Sequence, residues 1–164
     1  MNKEIERKYT IDPRLSLEQI SSILSERNHE TIKDYYFNPT TRLRFKGGEC
    51  FITVKSLMNP YSDSCTREEY EFKLDKRTVN FIPSPLLVKE RYYYEYHSHT
   101  FEINMYLNLR DKNNRPVFIV EVELNSEDEV VELPEWVDHE VTYHPDFYNY
   151  NIFVKLLEDR KNVQ

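Results

Sequence analysis

The sequence predicts an α+β chain, mostly β, in which an antiparallel sheet is accompanied by two helices. Charged and apolar residues alternate with a period of two in seven segments, which is typical of strands with one charged and one apolar face. Two further stretches repeat apolar residues at helical spacing. With 164 residues, no internal repeat and no long linker, the chain is expected to form a single domain over residues 1–164.

The strands can be placed by their alternation. In chain order the segments lie at residues 4–9, 42–44, 52–55, 69–74, 89–91, 101–107 and 120–124. Gly47-Gly48 separates two of them and predicts a tight hairpin, because both central residues of such a turn take a positive φ. Loops rich in Pro, Asn, Asp and Ser are predicted at residues 59–64, 83–85 and 111–116.

Two helices complete the elements. Ser16 can cap the first helix and Gln19 can complete a capping box, after which Leu17, Ile20 and Leu24 share one face. The second helix has an apolar stripe formed by Ile152, Phe153, Leu156 and Leu157. Its last turns carry basic residues, which suit the negative end of the helix dipole. Both stripes are expected to pack against the sheet.

Composition excludes several classes of protein. An aromatic share of 14% is too high for a disordered chain, and a total of 2 glycines excludes a Gly-rich phosphate loop. The formal net charge of -7 disfavours a general partner of nucleic acids or anionic membranes. No apolar run approaches the roughly 20 residues that span a bilayer. Cys50 and Cys65 have no disulfide or metal spacing, which predicts free thiols and a cytoplasmic protein.

The charged faces of the seven segments carry equal numbers of acids and bases. The acids are Glu4, Glu6, Glu69, Glu71, Glu102, Glu121 and Glu123. The bases are Lys8, Arg42, Arg44, Lys55, Lys73, Lys89 and Arg91. One wet face of an ordinary sheet would explain any single strand. Paired charges of both signs on all seven segments favour a barrel whose charged faces line a cavity. Such burial of charge is costly unless ligands compensate it, so it indicates a functional site.

The residue types in this cavity suggest its ligands. Two carboxylates at i and i+2 of a strand lie about 7 Å apart and repel each other unless a cation lies between them. Mg²⁺ and Mn²⁺ prefer such oxygen ligands. Paired Arg and Lys side chains hold phosphate oxygens, with Arg binding in bidentate fashion. The sequence therefore predicts a site for a phosphate compound and a divalent cation.

Other chemistries have weaker support. The histidines fit no HExxH pattern, and neither a GxxxxGK[ST] nor a GxSxG motif is present. His97-Ser98-His99 has a spacing seen in metal sites, but it lies in a Tyr-rich polar turn and is expected to be exposed. Neither cysteine has an identifiable catalytic partner in the sequence.

Six charged motifs follow one another from residue 4 onward. They are Glu4-Ile5-Glu6-Arg7-Lys8, Arg42-Leu43-Arg44, Thr53-Val54-Lys55, Glu69-Tyr70-Glu71, Lys89-Glu90-Arg91 and Val120-Glu121-Val122-Glu123-Leu124. In this order they resemble the CYTH family, also called triphosphate tunnel metalloenzymes, and in particular its short bacterial-type tripolyphosphatases. Residues 134–136, 140–142 and 148–151 are similar to the C-terminal region of that family, so the resemblance extends to about residue 155.

The resemblance implies an eight-stranded antiparallel β-barrel that forms a tunnel, with α-helices outside it. It implies hydrolysis of a terminal phosphoanhydride of a small-molecule triphosphate, with inorganic tripolyphosphate favoured and nucleoside triphosphates next. The implied ligands of Mg²⁺ or Mn²⁺ are Glu4, Glu6, Glu121 and Glu123. The implied triphosphate cradle is Lys8, Arg42, Arg44, Lys55, Lys89 and Arg91. The implied catalytic residues are Glu4, Glu6 and Lys8, with Glu69 and Glu71 completing the acidic lining.

Two positions depart from the family pattern, and several alternatives remain open. Asn104 stands where many members have an Asp, so it offers only a neutral oxygen, and Asp146 replaces a basic residue near the C-terminus. A class IV-type adenylyl cyclase and a non-catalytic binder of triphosphate or polyphosphate are the alternative functions. Nucleic acid is not an expected partner, and a homodimer is left open. Crowded positive charge in the cavity predicts that Arg44→Ala stabilises the ligand-free protein.

Overall fold

The computed structural model describes residues 2–57, 64–75, 77 and 82–162, and the elements below belong to these residues. The strands are β1 Lys3–Ile11, β2 His29–Asn38, β3 Thr41–Lys46, β4 Glu49–Lys55, β5 Thr66–Leu74, β6 Leu87–Tyr96, β7 His99–Arg110, β8 Pro116–Glu123 and β9 Val137–Glu140. The helices are α1 Leu17–Leu24 and α2 Asn149–Lys161, and a 3₁₀ turn lies at Pro145–Phe147. The loop expected at residues 59–64 lies outside the described residues except for Ser64.

Strands β1 to β8 close into an antiparallel barrel. Their order is β5-β4-β3-β2-β6-β7-β8-β1, and β1 pairs again with β5. Closure uses the first part of β1, where Lys3 lies opposite Glu68. The last part of the same edge pairs with β9, where Tyr9 lies opposite Glu140. The expected eight-stranded antiparallel barrel is therefore confirmed, and β9 extends it at one edge.

Strand β2 is the barrel strand that the alternation of charge did not reveal. The side chains of Glu30, Ile32, Asp34 and Tyr36 share its inner side, because Asp34 lies opposite the inward-facing Arg44 of β3. This inner side mixes charged and apolar residues, so it shows no contrast between the two faces. Asp34 was therefore not among the residues predicted from the sequence to face the cavity.

The predicted hairpin and the first helix are confirmed, with one correction. Gly47 and Gly48 join β3 to β4 with φ values of 55° and 72°, as a two-residue turn of this kind requires. Ser16 caps α1, and the capping box is complete. The prediction that Leu17 shares the buried face is wrong, since Leu17 is 49% exposed. The helix packs instead through Ile20, Ile23 and Leu24, so its buried face is centred beyond its first residue.

Helix α2 lies at one end of the barrel. Ile152, Phe153 and Leu156 are buried, which confirms the predicted apolar stripe. They cluster with the inward-facing side chains of Tyr36, Leu87, Tyr106 and Ile119. Helix α2 therefore covers this end of the tunnel, whereas α1 packs on the outer faces of β1, β7 and β8.

The outer face of β4 and β5 is not covered by a helix of the described residues. Val54, Tyr70 and Phe72 are 39%, 41% and 57% exposed. The helices, which are expected to pack against the sheet, therefore leave the apolar outer face of these two strands open to solvent. Cys50 and Cys65 are buried free thiols, as predicted. In the part of the chain that is described, neither helix has the length and apolar character needed to cross a bilayer.

Candidate active site in the barrel tunnel

The charged faces of the strands meet inside the barrel and line a cavity of about 310 Å³. The lining residues that were predicted from the sequence are Glu4, Glu6, Arg42, Arg44, Lys55, Glu69, Glu71, Arg91, Glu121 and Glu123. Lys8 lines an adjoining cavity. Lys89 is 1% exposed and points inward from β6, since it is the cross-strand partner of Ile32 and Tyr106. The fold thus brings the predicted catalytic, metal-binding and cradle residues to the interior of one barrel. The expectation that Lys73 also lines the cavity is wrong, since its side chain is 61% exposed and pairs with Glu49.

Lys55 links two acids across the β1–β5 contact that closes the barrel. Its Nζ lies 2.7 Å from Glu4 Oε2 on β1 and 2.6 Å from Glu69 Oε2 on β5. Burial would raise the pKa of Glu69, but the charge of Lys55 and its hydrogen bond lower it below the ordinary value. Glu69 is therefore held ionised beside its base.

Asp34 holds Arg44 on the inner side of β2 and β3. Burial would raise the pKa of Asp34, yet Arg44 keeps it well below the usual range. The same pairing raises the pKa of Arg44 above its ordinary value despite the burial of the guanidinium. The sequence carried one signal of Asp34, an acid two residues from Ile32 and Tyr36 in a run of aromatic and β-branched residues.

Glu121 connects Lys8 and Arg91. Its Oε1 accepts a hydrogen bond of 2.9 Å from Lys8 Nζ, and its Oε2 accepts one of 2.8 Å from Arg91 Nη2. Lys8, Lys89 and Arg91 hold the pKa of Glu121 well below its ordinary value, although burial opposes them. Glu121 and Glu6 likewise raise the pKa of Lys8 against its burial. Both oxygens of Glu121 are thus occupied, and its metal role stays a prediction.

Two cations of the tunnel keep unsatisfied donors. Arg42 Nε and Lys89 Nζ are buried and have no hydrogen-bond partner among the described residues. Burial, and then the charge of Arg91, lower the pKa of Lys89 to about 7. Its Nζ lies 5.7 Å from the centre of the Tyr106 ring, which gives it a weak cation–π contact. A buried donor without a partner is destabilising, so this part of the tunnel is suited to an anion.

Acidic groups crowd at the end of the tunnel away from α2. Glu6 and Glu123 are direct cross-strand partners. Burial raises the pKa of Glu123, and the charges of Glu4, Glu6 and Glu69 raise it further. A divalent cation among these oxygens would relieve their repulsion, so the donor set fits Mg²⁺ or Mn²⁺ by its chemistry. Within the described residues, no three His, Cys, Asp or Glu side chains already surround one point.

A second cavity of about 180 Å³ adjoins the tunnel. It shares Glu6, Arg42, Lys55 and Asn149 with the larger cavity. Its remaining lining includes the aromatic rings of Tyr36, Tyr148 and Tyr150. Asn149, the first residue of α2, accepts a hydrogen bond of 2.5 Å from Tyr106 Oη and donates one of 3.4 Å to Glu121 Oε1. Sequence reasoning did not predict this contact between the helix and the tunnel.

The histidine pair lies outside the tunnel lining. The expectation of exposure is wrong for His99, which is 6% exposed. Its Nε2 lies 3.1 Å from Glu129 Oε1, and that contact fastens the loop after β8. His97 is largely exposed and has a φ of 50°. The turn between β6 and β7 therefore buries one of the two histidines for structural reasons.

Comparisons with known proteins agree with this architecture. The chain is 26% identical over 159 residues to the inorganic triphosphatase of Acetivibrio thermocellus. This match covers 93% of this chain and 94% of that protein. Two solved structures of the protein NE1496, one described as an inorganic triphosphatase, have TM-scores of 0.56 and 0.57 at identities of 25% and 24%. They cover 91% and 93% of this chain and 96% and 95% of NE1496, and they support the fold.

The family assignment rests on nearly the whole barrel. The family model described as the CYTH domain matches residues 2–148. This range includes β1 to β9 and every charged residue of the tunnel lining. The chain therefore belongs to the CYTH domain family.

Proposed function

We propose that the protein hydrolyses a terminal phosphoanhydride of a triphosphate, with inorganic tripolyphosphate as the preferred substrate. The observation that carries the proposal is that the barrel interior holds buried cations with unsatisfied donors as well as crowded carboxylates. Buried cations with unsatisfied donors, Arg42 and Lys89, lie in the same tunnel as a crowded set of acids around Glu123. The first group suits a polyanion and the second suits a divalent cation. The similarity to an inorganic triphosphatase supports the same reaction.

The basic residues bind the phosphate chain. The proposed cradle is Lys8, Arg42, Arg44, Lys55, Lys89 and Arg91. Arg44 and Arg91 are held by acids on one side, so their remaining N–H groups are oriented before the substrate arrives. Orientation in advance favours the transition state, because the protein need not reorganise as charge shifts to the leaving diphosphate. Lys89 responds most strongly to the anion, because it has no acidic partner in direct contact.

The acidic residues serve the metal and the water. Glu4, Glu6, Glu121 and Glu123 are the carboxylates that we propose for Mg²⁺ or Mn²⁺, and Glu121 also holds Lys8 and Arg91. The cation would neutralise phosphate charge and polarise the phosphorus when bound. Glu69 and Glu71 complete the acidic lining, and Glu71 accepts a hydrogen bond of 3.1 Å from Thr53. A carboxylate of this set orients the attacking water.

The adjoining cavity favours a second substrate class. Three tyrosine rings next to Arg42 and Lys55 can accommodate the base of a nucleoside triphosphate whose phosphates lie in the tunnel. This cavity also keeps the adenylyl cyclase alternative, in which the ribose hydroxyl attacks the α-phosphorus. Binding without turnover is the remaining alternative.

The deciding experiment measures phosphate release from tripolyphosphate and from ATP, each with Mg²⁺, with Mn²⁺ and with EDTA. Cyclic AMP is assayed in the same ATP samples. We expect metal-dependent phosphate release, faster from tripolyphosphate, and no cyclic AMP. Cyclic AMP with diphosphate would identify a cyclase. No product, together with a melting temperature raised by tripolyphosphate, would identify a binder. Arg42→Ala should weaken the binding of tripolyphosphate, whereas Arg14→Ala should not, because Arg14 is exposed and pairs with the nearby Asp12.

A further inference from the structure

Asn104 on β7 lies fully buried between an arginine and a glutamate of the tunnel. It is 0% exposed. Its Oδ1 accepts a hydrogen bond of 2.8 Å from Arg91 Nε. Its Nδ2 donates one of 3.1 Å to Glu121 Oε2, with weaker contacts of 3.3 Å to the carbonyl oxygens of Glu102 and Ile119. Arg91 and Glu121 also contact each other directly, so the three side chains form a closed triangle.

The two neighbours of Asn104 need one acceptor and one donor from it, and its amide supplies both. Arg91 requires an acceptor, and the ionised Glu121 requires a donor. An Asp at this position would accept from Arg91, but when ionised it could not donate to Glu121. It would also place a second carboxylate about 3 Å from the first, where only one can readily hold a charge. Asn104 therefore supports an arrangement that an ionised Asp at this position would break.

The triangle determines how Arg91 presents itself to the tunnel. A guanidinium group has five N–H donors. Two are used in hydrogen bonds, by Asn104 at Nε and by Glu121 at Nη2, and Nη1 forms an ion pair with Glu102 at 2.6 Å. One N–H on Nη2 and those on Nη1 remain for phosphate oxygens. Because Nε and Nη2 are both held, the guanidinium plane has a fixed direction before any ligand binds.

We propose that Asn104 is a positioning residue for triphosphate binding, acting through Arg91 and Glu121. The proposal rests on the proposed function, in which Arg91 belongs to the phosphate cradle. Asn104 keeps Arg91 aimed into the tunnel, and its amide also donates to Glu121, which holds Lys8. Other charged groups near the triangle are Glu6, Lys89 and Arg44. Within the described residues, none of these three hydrogen-bonds to the amide of Asn104.

The test compares Asn104→Asp with Asn104→Ala in calorimetric binding of tripolyphosphate in EDTA and, with metal, in steady-state hydrolysis. At about pH 8 both variants are expected to bind about tenfold more weakly, the order of one charge-assisted hydrogen bond. The loss should appear in KM more than in kcat. Asn108→Ala is the matched control, because Asn108 on the same strand bonds the backbone of Leu86 and Val88, and this variant should keep the wild-type affinity.

The outcomes separate this proposal from the proposed function. Wild-type affinity in Asn104→Ala, or an equal loss of affinity in Asn108→Ala, would overturn the positioning role. If the wild type itself neither binds nor hydrolyses tripolyphosphate, the proposed function fails, and the triangle is then tested by melting temperature, which Asn104→Ala should lower because Arg91 and Glu121 each lose a buried hydrogen bond. If Asn104→Ala does not fold, the affinity of Asn104→Asp at about pH 8 decides the matter.

Discussion

Asp34 and Arg44 hold each other through two parallel hydrogen bonds inside the barrel. Arg44 Nε donates to Asp34 Oδ1 and Nη2 donates to Oδ2, each at 2.8 Å. Both side chains are almost fully buried, and the pair joins β2 to β3. Removing one member of such a pair leaves a buried charge without a partner. The pair thus gives stability and orients an arginine of the tunnel at the same time.

Asp34→Asn is expected to lower the free energy of unfolding by about 3 kcal/mol near neutral pH. Urea unfolding of both proteins measures the difference. The pKa of Asp34 is depressed in the folded protein, so its contribution is fully present above the unfolded pKa of about 3.9 and is lost as the pH falls below it. The difference between wild type and variant should therefore shrink below about pH 4. A difference that stays constant down to about pH 2 would contradict this role.

Arg42→Met and Arg44→Met are expected to change stability in opposite directions. Among the described residues, Arg42 has no hydrogen-bond partner at Nε and its ion pair with Glu69 is long at 3.9 Å, so its removal should raise the melting temperature of the ligand-free protein. Removing Arg44 should lower it, because Asp34 would remain buried and unpaired. This reverses the sequence expectation for Arg44→Ala. Both variants should bind tripolyphosphate at least about tenfold more weakly. Equal melting shifts in the two variants would refute the contrast.

Binding of tripolyphosphate is expected to add a proton to Lys89. The pKa of this buried lysine is about 7 in the folded protein, and an adjacent polyanion raises it. At about pH 8 the lysine is mostly neutral before binding and charged afterwards, whereas at about pH 6 it is already charged. Calorimetry in buffers with different ionisation enthalpies measures the uptake, and Lys89→Met corrects for protons exchanged by the ligand. Identical proton uptake by the two proteins at the higher pH would rule out Lys89 as the source.

Lys89→Met is also expected to stabilise the ligand-free protein. The folded pKa lies below the ordinary value of 10.5, so the ionised lysine is disfavoured by folding. The loss of folding stability that the ionised lysine causes is complete below its pKa in the folded protein and disappears above its pKa in the unfolded protein. The gain in melting temperature should therefore be largest below about pH 7 and vanish near about pH 10. A gain that is the same across this range would argue for a packing effect of the methionine.

Glu123→Gln is expected to weaken the binding of Mn²⁺ by at least about tenfold and to leave the fold intact. The acids around Glu123 repel one another in the ligand-free protein, so loss of this charge should raise the melting temperature slightly in EDTA. Isothermal titration with Mn²⁺ measures the affinity. Glu68→Gln is the control, because Glu68 is exposed and its neighbour Glu69 is the residue that faces the tunnel. If both substitutions changed the Mn²⁺ affinity equally, Glu123 would not be a metal ligand.

The barrel and its charged lining could be predicted because the alternation of a strand is visible in the sequence wherever one of its faces is uniformly charged. Glu4, Glu6 and Lys8 on β1 show this contrast and lie where expected. Strand β2 does not show it, since its inner side carries Ile32 beside Asp34. A sequence pattern can reveal faces that are chemically uniform, but it cannot reveal a mixed face whose polar residue is satisfied by another strand.

The partners within the lining could not be predicted, because they depend on register. Asn104 was identified as a departure in charge, whereas its hydrogen bonds to Arg91 and Glu121 follow from the pairing of β6, β7 and β8. The position of α2 at the end of the barrel could not be predicted either. An apolar stripe predicts burial but does not distinguish the outer face of a sheet from the inner end of a barrel.

The way β1 divides its edge between β5 and β9 has a consequence for how the molecule opens. The register of the β1–β5 contact runs only from Lys3 opposite Glu68 to Ile5 opposite Thr66. Glu4 lies on this contact, and Lys55 binds both Glu4 and Glu69 across it. A ligand that binds these charged groups therefore changes the stability of the β1–β5 contact that closes the barrel. Ligand binding and barrel closure are thereby coupled, and amide hydrogen exchange at residues 66–68 measures both.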